Sequence, residues 1–160
     1  MKALNLVFGL AAALSLLGQC LVSELLAAEG GEGGKTNVTV EVLIFSGRPN
    51  PTWQIQDPKS LAMLKAKLKD LPEASKEEPA GWSKMGFAGF RIRDGESLGL
   101  PGETRIYQGV IRTGQGQDAK YLKDASGFEQ SLINESKKQA LEPPVREAIA
   151  SYESARKGAL

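Results

Sequence analysis

Hydrophobic and polar positions alternate most cleanly over residues 37–45. There Val38, Val40, Val42 and Ile44 share one face of an extended chain, with Thr39 and Glu41 opposite. Leu43 and Phe45 make the far end apolar on both faces, which predicts cover on both sides. The period then changes. Asp57-Pro58 offers an N-cap and a proline for the first helical position, and Leu61, Leu64, Leu68 and Leu71 recur at helical spacing until Pro72. A polar stretch runs from Pro72 to Trp82. Phe87 to Arg93 predicts a second strand with Phe90 and Ile92 on one face. Arg105 to Thr113 predicts a third, with Ile106 and Val110 on one face and Tyr107 and Ile111 on the other. The connection between them, marked by Pro101-Gly102, reads as the long loop of a hairpin. Ser126 and Glu129 fit a capping box at the head of a helix that buries Phe128, Leu132 and Ile133. Pro143-Pro144 interrupts it, and Val145, Ala148, Ile149 and Tyr152 mark one side of a further helix reaching Lys157.

The order strand, helix, strand, strand, helix, helix predicts an α+β fold. A right-handed crossover would join the first two strands, with the third between them. The expected product is a three-stranded sheet of order 1-3-2 with helices on one face, like a ferredoxin-like fold lacking its last strand. The edge of the first strand would then stay open to a partner or a second copy.

The first residues add a destination. Lys2 precedes an apolar run from Ala3 to Leu17, too short for a membrane span and suited to an export signal. Cleavage after Ala28 is expected; the alternative is a lipoprotein anchored at Cys20, within Leu17-Gly18-Gln19-Cys20. The domain reading is thus a signal peptide over 1–28, a flexible glycine-rich leader over 29–35, and one globular α+β domain over 36–160. No other run is long enough to span a membrane.

Two scarcities narrow the chemistry. The chain has no histidine and a single cysteine, Cys20. Histidine triads, cysteine nucleophiles in the domain, thiolate or imidazole metal sites and an internal disulfide are all closed to it. No metal site and no cofactor are expected. The formal charge is +1, and removing residues 1–28 takes away only Lys2 and Glu24, leaving it unchanged. Such a balance gives no electrostatic case for nucleic acid.

The richest chemistry lies in Phe45-Ser46-Gly47-Arg48-Pro49-Asn50-Pro51-Thr52-Trp53. The prolines hold Arg48 and Asn50 extended, and Gly47 allows a sharp exit from the strand. Ser46, Arg48, Asn50 and Trp53 are the candidate ligand-binding residues. Arg48 would offer a planar cation, Asn50 a donor and an acceptor, and Trp53 a stacking wall. The architectural alternative has Trp53 plugging the core, Arg48 paired with an internal acid and Asn50 satisfying turn amides. Arg91, Arg93, Arg105 and Arg112 are read as solvent-facing strand residues pairing with Glu96 or Glu103, with an anion-binding face as the rival. The nine-residue string resembles a motif of small, often secreted bacterial and fungal proteins. Their pattern is also similar to Gly86-Phe87-Ala88-Gly89-Phe90 and Tyr107-Gln108-Gly109-Val110. That resemblance implies a shared fold unit and no activity.

The function expected from the sequence is an exported, non-enzymatic binding domain using the Ser46–Trp53 corner. Its partner would be a protein or a small anionic ligand, and a homodimer through a sheet edge is a further expectation. The alternatives are a small hydrolase, with Ser46 as the nucleophile, and a protease inhibitor presenting Arg48.

Overall fold

Six strands form one antiparallel sheet in this computed structural model, which describes residues 37–158 apart from 46, 81 and 83–85. They are β1 (Val38–Phe45), β2 (Thr52–Ile55), β3 (Gly86–Arg93), β4 (Thr104–Tyr107), β5 (Val110–Thr113) and β6 (Lys120–Lys123), in the order β2-β1-β3-β4-β5-β6. Three α-helices accompany them: α1 (Pro58–Lys67), α2 (Phe128–Ser136) and α3 (Pro143–Lys157). The expected signal, leader and Cys20 anchor lie outside the described residues. No helix among the described residues is long and apolar enough to cross a membrane.

The expected three-stranded 1-3-2 sheet, and the ferredoxin-like analogy, are wrong. The chain does not cross over after β1. It reverses through the proline corner, and β2 pairs antiparallel with β1, Val40 opposite Trp53 and Glu41 opposite Thr52. With that edge taken, β3 pairs antiparallel on the other side of β1, Val40 opposite Ile92 and Val42 opposite Phe90. The edge of the first strand is therefore covered, and the sheet's edge strands are β2 and β6. The expected third strand is two strands. Gln108 and Gly109 both have positive φ, 50° and 74°, the two-residue turn that joins tightly paired strands. Ile106 and Ile111 consequently face each other across β4 and β5 instead of lying on opposite faces.

The core forms on one side of this sheet. Val38, Val40, Val42, Phe90, Ile92, Ile106 and Ile111 are all fully buried there. Leu64 of α1, Phe128, Leu132 and Ile133 of α2, and Val145 and Ile149 of α3 pack into the same cluster. Burying side chains of this size stabilises by about 1.5–3 kcal/mol each, so the cluster is the main source of stability in a domain that no internal disulfide can staple.

Local chemistry sets the helix ends. Asp57 caps α1 as expected, accepting from the Ser60 amide at 2.8 Å. The helix stops at Lys67, short of Leu71, because Ser126 donates to the Lys67 carbonyl at 2.6 Å and Lys67 Nζ donates to the Ser126 carbonyl at 2.6 Å. The chain then turns through Asp70, whose φ is 55°, and runs beside β6. The Lys123 amide donates to Pro72 O at 2.8 Å and the Ala74 amide to Tyr121 O at 2.9 Å, so this strap covers part of the β6 edge. The capping box at α2 is also different from expectation. Ser126 is engaged with α1, and Asp124 caps the helix, accepting from the Phe128 and Glu129 amides at 2.7 and 2.8 Å.

Candidate functional site

The corner between β1 and β2 is built from within. Gly47 has a φ of 73°, and the Val42 amide donates to Pro51 O at 2.9 Å, closing the hairpin. Asn50 sits inside the turn. Its Oδ1 accepts from the Ile44 amide at 3.1 Å and its Nδ2 donates to Glu41 Oε1 at 2.8 Å. Trp53 is 7% exposed and meets Phe90 edge-on, centroids 6.1 Å apart. Asn50 and Trp53 are thus consumed by architecture. Ser46 lies outside the described residues. Of the three described candidates Arg48 is the one that reaches outward, 77% exposed, with Glu142 Oε2 3.8 Å away. A pair so exposed contributes little to stability, leaving the guanidinium open to a ligand.

Arg48 stands at the mouth of a groove of about 760 Å³ between the corner and the α2–α3 connection. Its lining includes Ile44, Pro49, Pro51, Leu141, Pro144 and Val145. The interior is apolar, three prolines stiffen its walls, and the exposed Arg48 and Glu142 flank the opening.

A second constellation occupies the sheet face opposite the core. Strand register sets Thr52, Glu41, Arg91, Arg105, Arg112 and Tyr121 side by side, one from each strand across the whole sheet. Glu41 joins this row to the corner. It is 5% exposed, holds Asn50 through Oε1, and through Oε2 takes Arg93 Nη2 at 2.6 Å and Arg93 Nε at 3.0 Å, with Arg91 Nη1 at 3.5 Å. Of the expected acids, Glu103 does pair with Arg91, at 3.3 Å. Glu41 serves two of these arginines, Arg93 closely and Arg91 at 3.5 Å, and its place among core valines hides that role in the sequence. Trp82, 4% exposed, lies over Arg105 with its ring centroid 4.7 Å from the guanidinium carbon, and Arg105 Nη2 donates to the Trp82 carbonyl at 3.4 Å. Burial, and then the charge of Arg91, lower the Arg105 pKa. A lone tryptophan in an otherwise polar connection was the signal that could have singled out this region.

A third cluster is complete in itself. Glu129 of α2 is fully buried, and its two oxygens accept from the Gln108 and Gly109 amides, Tyr152 Oη at 2.7 Å and Arg156 Nη1 at 2.8 Å. Burial, followed by the charge of Glu129, raises the Tyr152 pKa. Every lone pair is used to hold the β4–β5 turn against α2 and α3, which is a structural task.

No protein-family model, curated protein or solved structure matches this chain. Each of the three strings that carry the resemblance has a local structural use. Asn50 and Trp53 build the corner, Gly89 sits at an irregularity in the β1–β3 pairing, and Gln108-Gly109 make the turn held by Glu129. Among the described residues no group of acidic side chains is arranged to hold a metal ion.

Proposed function

We propose that this is an exported, non-enzymatic binding domain that takes a protein partner or a small anionic ligand in the groove beside Arg48. The observation that carries the reading is the groove itself, an apolar channel with stiff proline walls and an exposed arginine at its mouth. Rigid walls lower the entropy lost on binding, and a guanidinium at the rim selects a carboxylate or phosphate on whatever enters. Export rests on Lys2 and the apolar run from Ala3 to Leu17.

Arg48→Glu combined with Thr52→Arg tests the groove, because both residues line it and both side chains are exposed. Affinity capture from the envelope and culture fluid is expected to retain a partner on the wild type and lose it on the folded double variant. Equal retention by both proteins would remove the groove from function. N-terminal sequencing of the exported protein is expected to begin at Glu29.

A further inference from the structure

Arg91, Arg105 and Arg112 stand directly opposite one another on β3, β4 and β5. Side chains so placed have Cβ atoms about 5 Å apart, and like charges in that relation repel. The internal acids compensate them unevenly. Among the described residues, Arg91 has Glu41 and Glu103, and Arg112 has Glu78 at 3.9 Å, which is half exposed. Arg105, in the middle, bonds a carbonyl and faces the Trp82 ring, and Glu78 and Glu103 act on its charge without forming an ion pair with it.

The unmet hydrogen bonds gather here as well. Six buried side-chain nitrogen or oxygen atoms among the described residues have no hydrogen-bond partner. Four of them are Arg91 Nε, Arg105 Nε, Arg112 Nε and Trp82 Nε1. Glu103 lies 3.3 Å from Arg91 Nε yet outside hydrogen-bond geometry. Buried donors are normally satisfied, so four in one place leave a demand for acceptors that the described residues do not meet. Elsewhere the same fold satisfies a buried charge fully, as at Glu129.

We infer that this arginine row, with Trp82 beside it, is a binding site for a tetrahedral oxyanion, a phosphate or sulfate group carried by a small ligand. The charge and spacing argue for that class. One anion with three or more oxygens accepts from the Nη groups of two neighbouring guanidiniums together, relieving their repulsion. A monocarboxylate adds only what Glu41 and Glu103 already offer. The site faces away from the core and is separate in chemistry from the apolar groove beside Arg48.

Thermal denaturation and calorimetric titration with pyrophosphate, and separately with sulfate, against chloride at matched ionic strength, test the site. A saturable rise in Tm and a sub-millimolar Kd are expected with at least one of the two anions. Binding of pyrophosphate alone assigns phosphate ligands, and of sulfate alone, sulfate ligands. Arg105→Leu is expected to keep or raise the Tm in chloride, since it removes the central like charge, and to weaken anion binding at least tenfold. Arg105→Lys keeps the charge and the packing stem, and is expected to fold and to weaken binding to the same degree; it gives the reading should Arg105→Leu not fold. The inference is overturned if neither anion acts beyond chloride, or if the Arg105 variants respond like the wild type.

Discussion

At the scale of single residues, two glycines of positive φ separate two costs of adding a Cβ. Gly89 has a φ of 97°, and a Cβ there would lie 2.1 Å from the Ile106 carbonyl oxygen and 2.8 Å from Tyr107 Cβ. Gly102 also has positive φ, 65°, with no atom within 4 Å of where a Cβ would be. Gly102→Ala is therefore expected to cost about 1 kcal/mol, the left-handed penalty alone. Gly89→Ala adds a backbone clash and is expected to cost about 3 kcal/mol or more. Urea denaturation of both variants checks the contrast, and equal losses would mean that close approach is not what requires glycine at position 89. The same scale accounts for the corner. Asn50 bonds a β1 amide and a buried carboxylate, and Trp53 packs on Phe90, so two of the four candidate residues have occupations that a rigid loop requires.

At the scale of elements, long regular segments were legible and short ones were not. The alternation of Val38 to Ile44 marked β1, and Asp57-Pro58 marked the start of α1. The four-residue strands β2 and β6 offer two apolar contacts at most, too few for a period to emerge, and β2 is hidden between prolines. The Gln108-Gly109 turn was missed because glutamine is an uncommon first residue at positive φ. The outward side of β3, β4 and β5 showed its arginines in the sequence, but only pairing register reveals that three of them stand in line. Contacts between helices can be tested by acid. Glu153 on α3 accepts from Lys137 Nζ at 2.7 Å, Lys157 Nζ at 3.1 Å and Gln130 Nε2 at 3.0 Å. The hydrogen bond from Lys137, then that from Lys157, lower its pKa from 4.5 to about 2. A depressed carboxyl pKa stabilises the fold above the unfolded value and ceases to do so below the folded one. The Tm advantage of wild type over Glu153→Gln is expected to be constant above pH 5 and to shrink as pH falls from 4.5 to about 2. A difference that is flat across that range would show that the clamp between α2 and α3 carries no stability.

At the scale of the molecule, distant parts depend on one another through a few buried charges. Glu129 is fully buried, and its charged partner Arg156 and its hydroxyl partner Tyr152 both come from α3. Tyr152 also stacks on Tyr107 and meets Phe87, with centroids 5.3 and 4.9 Å apart. Deleting residues 143–160 strips Glu129 of both partners and uncovers that aromatic cluster. Breaking a buried ion pair costs about 3–5 kcal/mol, toward the lower end here because Arg156 is partly exposed. Added to the lost packing of Val145 and Ile149, that is comparable with the whole stability of an ordinary domain. The truncated chain is expected to lose its cooperative thermal transition and its near-ultraviolet circular dichroism; a sharp melt would show that the sheet and the first two helices stand alone. The polar row across the sheet acts at this scale in another way. All six strands contribute a polar or amphipathic side chain to it, next to apolar neighbours that point into the core. A slip of β3, β4 or β5 by one residue would exchange the two sets and drive an arginine into hydrocarbon. The row therefore proofreads assembly: a sheet zipped in the wrong register carries a fault too costly to persist.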